Sequence, residues 1–332
     1  MELLNSYVSN NTFSKIYNDS HSKKFIFEFN KEETINIINP KYEIKLKTFK
    51  DNPEKLMIVT DFDFTLTKNY LDNERLLSCI NVMIYSDFIS NEFQKISKDL
   101  HVKYAKYEYD TTIDLNLKDE MMHLWFKENL DMISKEKISK EDFRKMILQG
   151  EKKFYYRYGI IELFDLIEKN SIPIFIISAG IYEIIENSLK IILPGGRYQN
   201  LMEKNLLNII ANKFTYDEYG FINGYVEPIV YTFNKGEILK RIFKEIGDGN
   251  ENILLMGDHI NDIDSIKHIE YRESIKIGYL NFLENSIDEK KIQMVENYKS
   301  NFDVLLFADG NLTYVNNLIK NISEHGKSKS DI

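Results

Sequence analysis

The sequence predicts an α/β protein: an open parallel sheet with helices on its faces and a mostly helical lobe inserted after the first core strand. Three observations lead there. Short apolar runs, Leu56-Met57-Ile58-Val59, Ile172-Pro173-Ile174-Phe175-Ile176-Ile177 and Asn252-Ile253-Leu254-Leu255-Met256, alternate with helical stretches, the βαβ pattern that folds with right-handed crossovers. The runs are almost continuously apolar, as strands covered on both faces are. Each stops at a polar group: Asp61, Ser178 or Asp258.

Taken in order, residues 1–50 are polar with scattered aromatics and form an N-terminal extension without identifiable chemistry. The α/β core is expected over 51–71 and 159–332. Residues 72–158 form the inserted lobe, with helical spacing of Leu76, Leu77, Ile80 and Ile84 and later of Met121, Leu124 and Trp125, broken by the polar stretch 110–116. A helix over 159–170 leads into the second strand. Residues 206–231 are strand-like with a turn at Asp217–Gly220, and Lys235-Gly236 opens a helix through Ile246. Short strands follow the third run at Ile275–Ile277 and Val304–Phe307. Ligands of open sheets bind beyond the carboxyl ends of the strands, where Asp61, Ser178, Asp258 and the helix start at Lys235 would converge.

Composition narrows the partners. The balance of 43 basic against 52 acidic residues, net charge −9, contains no basic block suited to a nucleic acid polymer or an anionic membrane. An anionic ligand must therefore be met by local charges and a cation. Cys79 is the only cysteine, which excludes an intramolecular disulfide and a cysteine zinc site and fits a reducing, cytoplasmic location. No stretch reaches the roughly 18 uncharged apolar residues of a membrane span. The histidines at 21, 101, 123, 259, 268 and 325 lack metal-ligand spacing.

The most telling segment is Asp61-Phe62-Asp63-Phe64-Thr65-Leu66-Thr67. Two carboxylates, two residues apart in an extended segment, project to the same side. At about 4 Å and an effective dielectric of about 20 their repulsion is on the order of 4 kcal/mol. That cost calls for a cation. Alone, such a pair is more often a solvated turn, just as Lys235 alone is a first-turn lysine and Ser178 alone an N-cap. The ordered set of four motifs changes that balance.

DFDFTLT at 61–67, ISAG at 177–180, Lys235 and GDHIND at 257–262 resemble the four ordered motifs of the haloacid dehalogenase superfamily of phosphohydrolases. Within it, SIPIFIISAGI at 171–181, NKGEIL at 234–239, NILLMGDHIND at 252–262 and IKIGYLN at 275–281 are similar to the cytosolic 5′-nucleotidase III, or pyrimidine nucleotidase, family. The likeness runs from about Leu56 to the end. It implies a Rossmann-like core with an inserted helical cap, and a role for each motif.

By that resemblance Asp61 attacks phosphorus to form an aspartyl-phosphate, since a phosphate monoester needs a nucleophile, charge neutralisation and a proton for its leaving oxygen. Asp63 carries that proton and then takes one from water. Mg²⁺ is held by Asp61, the backbone carbonyl of Asp63 and Asp258, with Asp262 orienting its waters. Ser178 and the amides of Ala179 and Gly180 hold phosphate oxygens, Lys235 neutralises the transferring group, and Thr65 ties the nucleophile loop through its hydroxyl. The reading is a Mg²⁺-dependent 5′-nucleotidase for small-molecule nucleoside 5′-monophosphates, pyrimidines favoured.

The cap decides the substrate, and there the chain departs from the family. An acidic residue that precedes the cap tryptophan and contacts the base is replaced by Leu124, beside Trp125. Trp125 and Phe126 suit a helix interface as well as a base. Arg157 is a candidate phosphate contact or else a surface arginine. A phosphatase for another small phosphomonoester, or a weakly catalytic binding protein on the same fold, therefore stands beside the leading reading.

Overall fold

A computed structural model describes residues 35–110, 112–150, 152–246, 252–282 and 289–330. The chain begins with β1 (Ile35–Ile37), helix α1 (Tyr42–Asp51) and the central strand β2 (Leu56–Thr60), followed by two short pairs of extended residues, β3 (Tyr70–Leu71) and β4 (Glu74–Arg75). Four helices come next: α2 (Cys79–Ile84), α3 (Asn91–Tyr109), α4 (Leu115–Ile133) and α5 (Asp142–Gln149). Helix α6 (Ile160–Asn170) returns to the sheet at β5 (Ile174–Ile181), then α7 (Tyr182–Ile192), α8 (Arg197–Glu203), β6 (Leu207–Asn212) and the hairpin β7 (Phe214–Tyr216) and β8 (Ile222–Tyr225). Helix α9 (Lys235–Ile246) precedes β9 (Asn252–Gly257), a 3-10 turn at Ile260–Ile266 and β10 (Glu273–Leu280); α10 (Glu289–Asn301), β11 (Val304–Phe307) and α11 (Thr313–Ser330) complete the chain.

The main sheet has the order β1-β11-β10-β9-β2-β5-β6. Every pairing is parallel except that of β1 with β11. The chain leaves β2 toward β5 and β6 and then crosses to β9 on the other side, so the order reverses beside β2, where such sheets open a crevice for ligands. β2 is buried at every residue, which explains its unbroken apolar sequence. Ile58, Ile176 and Leu254 face α6 and α11 in one apolar layer, while Met57, Val59, Phe175, Ile253 and Leu255 face Ile238 and Leu239 of α9 in the other.

The segment read as an extension without chemistry joins this sheet from residue 35. β1 adds an antiparallel edge, and Lys45 of α1 donates to Asp303 and to the carbonyl of Ser274. Residues 1–34 of that segment lie outside the described residues. Among the described residues no helix is long and apolar enough to cross a membrane.

Candidate active site

Three strand ends and one helix start build the site. Asp61 follows β2, and its backbone N–H donates to Met256 of β9 at 3.1 Å. Lys235, first residue of α9, is buried and donates to Asp61 Oδ1 at 2.6 Å and to Asp262 Oδ1 at 2.8 Å. The second oxygen of Asp262 accepts from the His259 N–H at 3.0 Å. Gly257 makes this approach possible: a Cβ there would lie 2.5 Å from that of Asp262. Ser178 Oγ accepts from the Gly180 N–H at 3.0 Å, and a Cβ on Gly180 would lie 3.2 Å from Asp63 Oδ2. The SAG turn and the aspartate pair are thus neighbours, although they are more than a hundred residues apart in sequence.

The electrostatics follow from enclosing four carboxylates with one ammonium. Burial pushes Asp61 up to about 7, against the pull of Lys235 and with the repulsion of Asp262 and Asp63. Burial also raises Asp63 to about 6, opposed by the N–H and thiol of Cys79. Asp258 rises well above the carboxylate range through burial and the nearby Asp262 and Asp61. Burial alone would lower Lys235, but Asp262 and Asp61 hold its ammonium above the usual lysine value.

Asp61, Asp258 and Asp262 each bring a carboxylate oxygen within 4.8 Å of the others. The donors are all oxygen, which suits a hard cation such as Mg²⁺ rather than a thiolate- or imidazole-seeking one. Both oxygens of Asp262 are already engaged by Lys235 and the His259 amide, so it suits orienting that centre better than binding it directly.

Some residues have other work than the sequence suggested. The Thr65 hydroxyl is buried without a hydrogen-bond partner, so it does not tie the loop. Thr67 does so, accepting from the Phe64 N–H at 2.8 Å. Arg157 is neither a surface arginine nor a free phosphate contact; it is 1% exposed and its donors are spent on loop carbonyls. Trp125 stacks on Tyr104 with ring centroids 6.2 Å apart and touches His101 and Phe126. Phe126 in turn meets Tyr231, four residues before Lys235. Leu124 is half-buried on the same helix.

Sequence reasoning missed four residues. The Cys79 N–H donates to Asp63 Oδ1 at 2.8 Å, so the first helix of the lobe touches the second aspartate of the pair. Asn281 donates to the Phe64 carbonyl at 2.7 Å and to Asp258 Oδ2 at 3.4 Å; it is the last residue of the IKIGYLN block. Glu108 and Asp119 accept from Thr232 and Tyr231 at 3.1 and 2.9 Å, which brings two lobe carboxylates onto the loop before Lys235. Nothing in their local sequence marks these contacts.

An α/β sheet with an aspartate pair at its central strand, a serine turn, a lysine and a further acidic turn around one crevice defines a phosphohydrolase of the haloacid dehalogenase type. A sequence model of the pyrimidine 5′-nucleotidase (UMPH-1) family matches residues 64–323, and the chain belongs to that family. It is a hydrolase of the 5′-nucleotidase type. It is similar to a 7-methylguanosine phosphate-specific 5′-nucleotidase of Gallus gallus, 28% identical over 272 residues covering 81% of this chain and 88% of the relative. A Homo sapiens protein of the same description is 27% identical over 279 residues, covering 82% and 86%. Among solved structures, cytosolic 5′-nucleotidase IIIB bound to cytidine aligns with TM-score 0.75 over 89% of this chain and 95% of that one at 22% identity, a likeness of fold.

Proposed function

We propose that the protein hydrolyses nucleoside 5′-monophosphates to nucleoside and phosphate through an aspartyl-phosphate on Asp61, with Mg²⁺ as cofactor. The observation that carries this reading is the Lys235 ammonium bridging Asp61 and Asp262 at 2.6 and 2.8 Å beside the Ser178 turn. Lys235 holds one oxygen of Asp61 and favours its ionised form, leaving the other to attack phosphorus. As the P–O5′ bond breaks, Asp63 gives its proton to the leaving oxygen. The resulting carboxylate then takes a proton from the water that attacks the aspartyl-phosphate and releases Asp61. A carboxyl raised to about 6 is suited to both transfers near neutrality. Ser178 and the Ala179 and Gly180 amides orient the phosphate. Asp61, the Asp63 carbonyl and Asp258 would hold the cation, which would supply charge neutralisation for the phosphoryl oxygens.

Substrate choice has two readings. A pyrimidine monophosphate follows from the family's description. A 7-methylguanosine monophosphate follows from the names of the relatives. The reaction suits the cytosol, since one relative is named a putative cytosolic 5′-nucleotidase. The test is a panel of CMP, UMP, 7-methyl-GMP, AMP and sugar phosphates assayed with Mg²⁺ for phosphate release. Turnover of at least one nucleotide well above every sugar phosphate is expected, and no such preference would overturn the nucleotidase reading.

A further inference from the structure

Arg157 is a buried cation outside the reaction just described. It sits where the chain returns from the helical lobe to the sheet, with a side-chain exposure of 0%. A guanidinium has five N–H donors, and here four hydrogen bonds and an ion pair surround it. Nε donates to the Thr65 carbonyl at 2.7 Å; Nη2 donates to the Phe64 carbonyl at 2.5 Å and to Asn281 Oδ1 at 2.8 Å. Nη1 serves the Gly310 carbonyl and pairs with Asp309 Oδ1 at 2.9 Å. The guanidinium lies over the Tyr279 ring, 4.1 Å from its centroid. Asp309 also accepts from the N–H groups of Asn69 and Tyr70 at 3.1 and 2.9 Å.

These bonds join both chain segments that connect lobe and sheet. The Arg157 N–H donates to Leu66 at 2.9 Å, the Lys68 N–H to Tyr155 at 2.8 Å, and Thr67 bridges Tyr156 in antiparallel fashion. The outgoing and returning strands are zipped together, and the guanidinium closes the zip next to the nucleophile. Phe64 has φ +60°, a left-handed conformation that costs a non-glycine residue about 1 kcal/mol or more and persists only when its surroundings impose it. Its N–H is held by Thr67 Oγ1, and its carbonyl by Arg157 and Asn281. That N–H shares a planar trans peptide with the Asp63 carbonyl, so fixing one aims the other in the opposite direction.

We propose that Arg157, clasped by Asp309 and Asn281, is a positioning residue for phosphoryl transfer: it holds the 61–65 turn so that Asp61 and the Asp63 carbonyl stay aligned on the phosphate. The proposal rests on the reading of Asp61 as nucleophile. Its action is on the chemical step and not on substrate affinity. Lysine in its place would keep the charge opposite Asp309, but an ammonium cannot span three carbonyls lying in different directions.

The test compares the full-length parent with Arg157→Lys, Asn281→Ala and the double variant, reading kcat and KM on a nucleoside monophosphate and on p-nitrophenyl phosphate beside thermal unfolding. Arg157→Lys should lower kcat roughly 10- to 100-fold on both substrates, the loss a misplacement of about 1 Å produces, with KM changed less than about threefold. The double variant should lose less than the product of the single losses, because both side chains hold one carbonyl. A folded Arg157→Lys with kcat within about twofold of the parent, a loss confined to KM or to the nucleotide, or fully multiplicative losses would each overturn the proposal. If Arg157→Lys does not fold, Asn281→Ala loosens the same clasp while keeping the buried Arg157–Asp309 pair and must show the same split. A parent active on p-nitrophenyl phosphate and inactive on nucleotides would sink the nucleotidase reading, while the clasp would still be judged on p-nitrophenyl phosphate.

Discussion

Glu183, in the first turn of the helix that follows the Ser178-Ala179-Gly180 turn, is buried at 2% exposure with one carboxylate oxygen lacking a partner. Its other oxygen accepts from the Phe214 N–H and the Tyr216 hydroxyl, both at 3.0 Å. Burial raises it from 4.5 to about 7; those hydrogen bonds oppose the rise and Glu186 adds to it. A folded-state value above the unfolded one means that the native protein binds the extra proton. Its protonated form is therefore fully tolerated below about 4.5, and stability is lost as pH rises toward 7. The whole shift corresponds to about 3 kcal/mol, most of which falls between pH 5 and pH 8. Glu183→Gln keeps the shape and removes the ionisation. Urea unfolding of parent and variant at pH 5, 6, 7 and 8 should show the variant gaining on the parent by about that amount across the range. Two curves running parallel from pH 5 to pH 8 would refute the assignment of a raised, buried carboxyl to Glu183.

Other outcomes follow from the site. Asp61→Asn should abolish phosphate release with little change in melting temperature, and an unchanged rate would remove Asp61 as nucleophile. Excess chelator should abolish activity and added Mg²⁺ should restore it; full activity in chelator would contradict the metal role. Gly257→Ala forces a Cβ to within 2.5 Å of Asp262; overpacking of about 1–3 kcal/mol and a loss of kcat are expected, checked by denaturant titration and steady-state kinetics. Lys235→Met leaves Asp61 and Asp262 as unpaired buried carboxylates, so kcat should collapse and the melting temperature should fall, both readable in one preparation.

Much of the core was legible because its signals are local. The strands of 56–60, 252–257 and 304–307 declare themselves through continuous apolar sequence, and Lys235 opens its helix where the sequence indicates. The contacts of single side chains were less legible. Thr65 and Thr67 are both hydroxyl residues of one motif, and only the turn geometry at Phe64 decides that Thr67 makes the tie. Arg157 reads as exposed because an isolated arginine usually is; its acceptors are backbone carbonyls, which every residue carries and no sequence distinguishes. The strand at 35–37 was missed because an edge strand of three exposed residues lacks the apolar run that marks a buried one.

The sequence by itself determined the class of enzyme and the polar groups that end the core strands, because strands and their ends are set by short-range pattern. Tertiary structure alone decided the company those residues keep: Lys235 between Asp61 and Asp262, Cys79 on Asp63, Asn281 against Asp258, and Arg157 clasping the turn behind Asp61. These are pairings across distant segments, fixed by how the sheet reverses beside β2, and their energies come from burial and from distances near 3 Å that no linear spacing encodes.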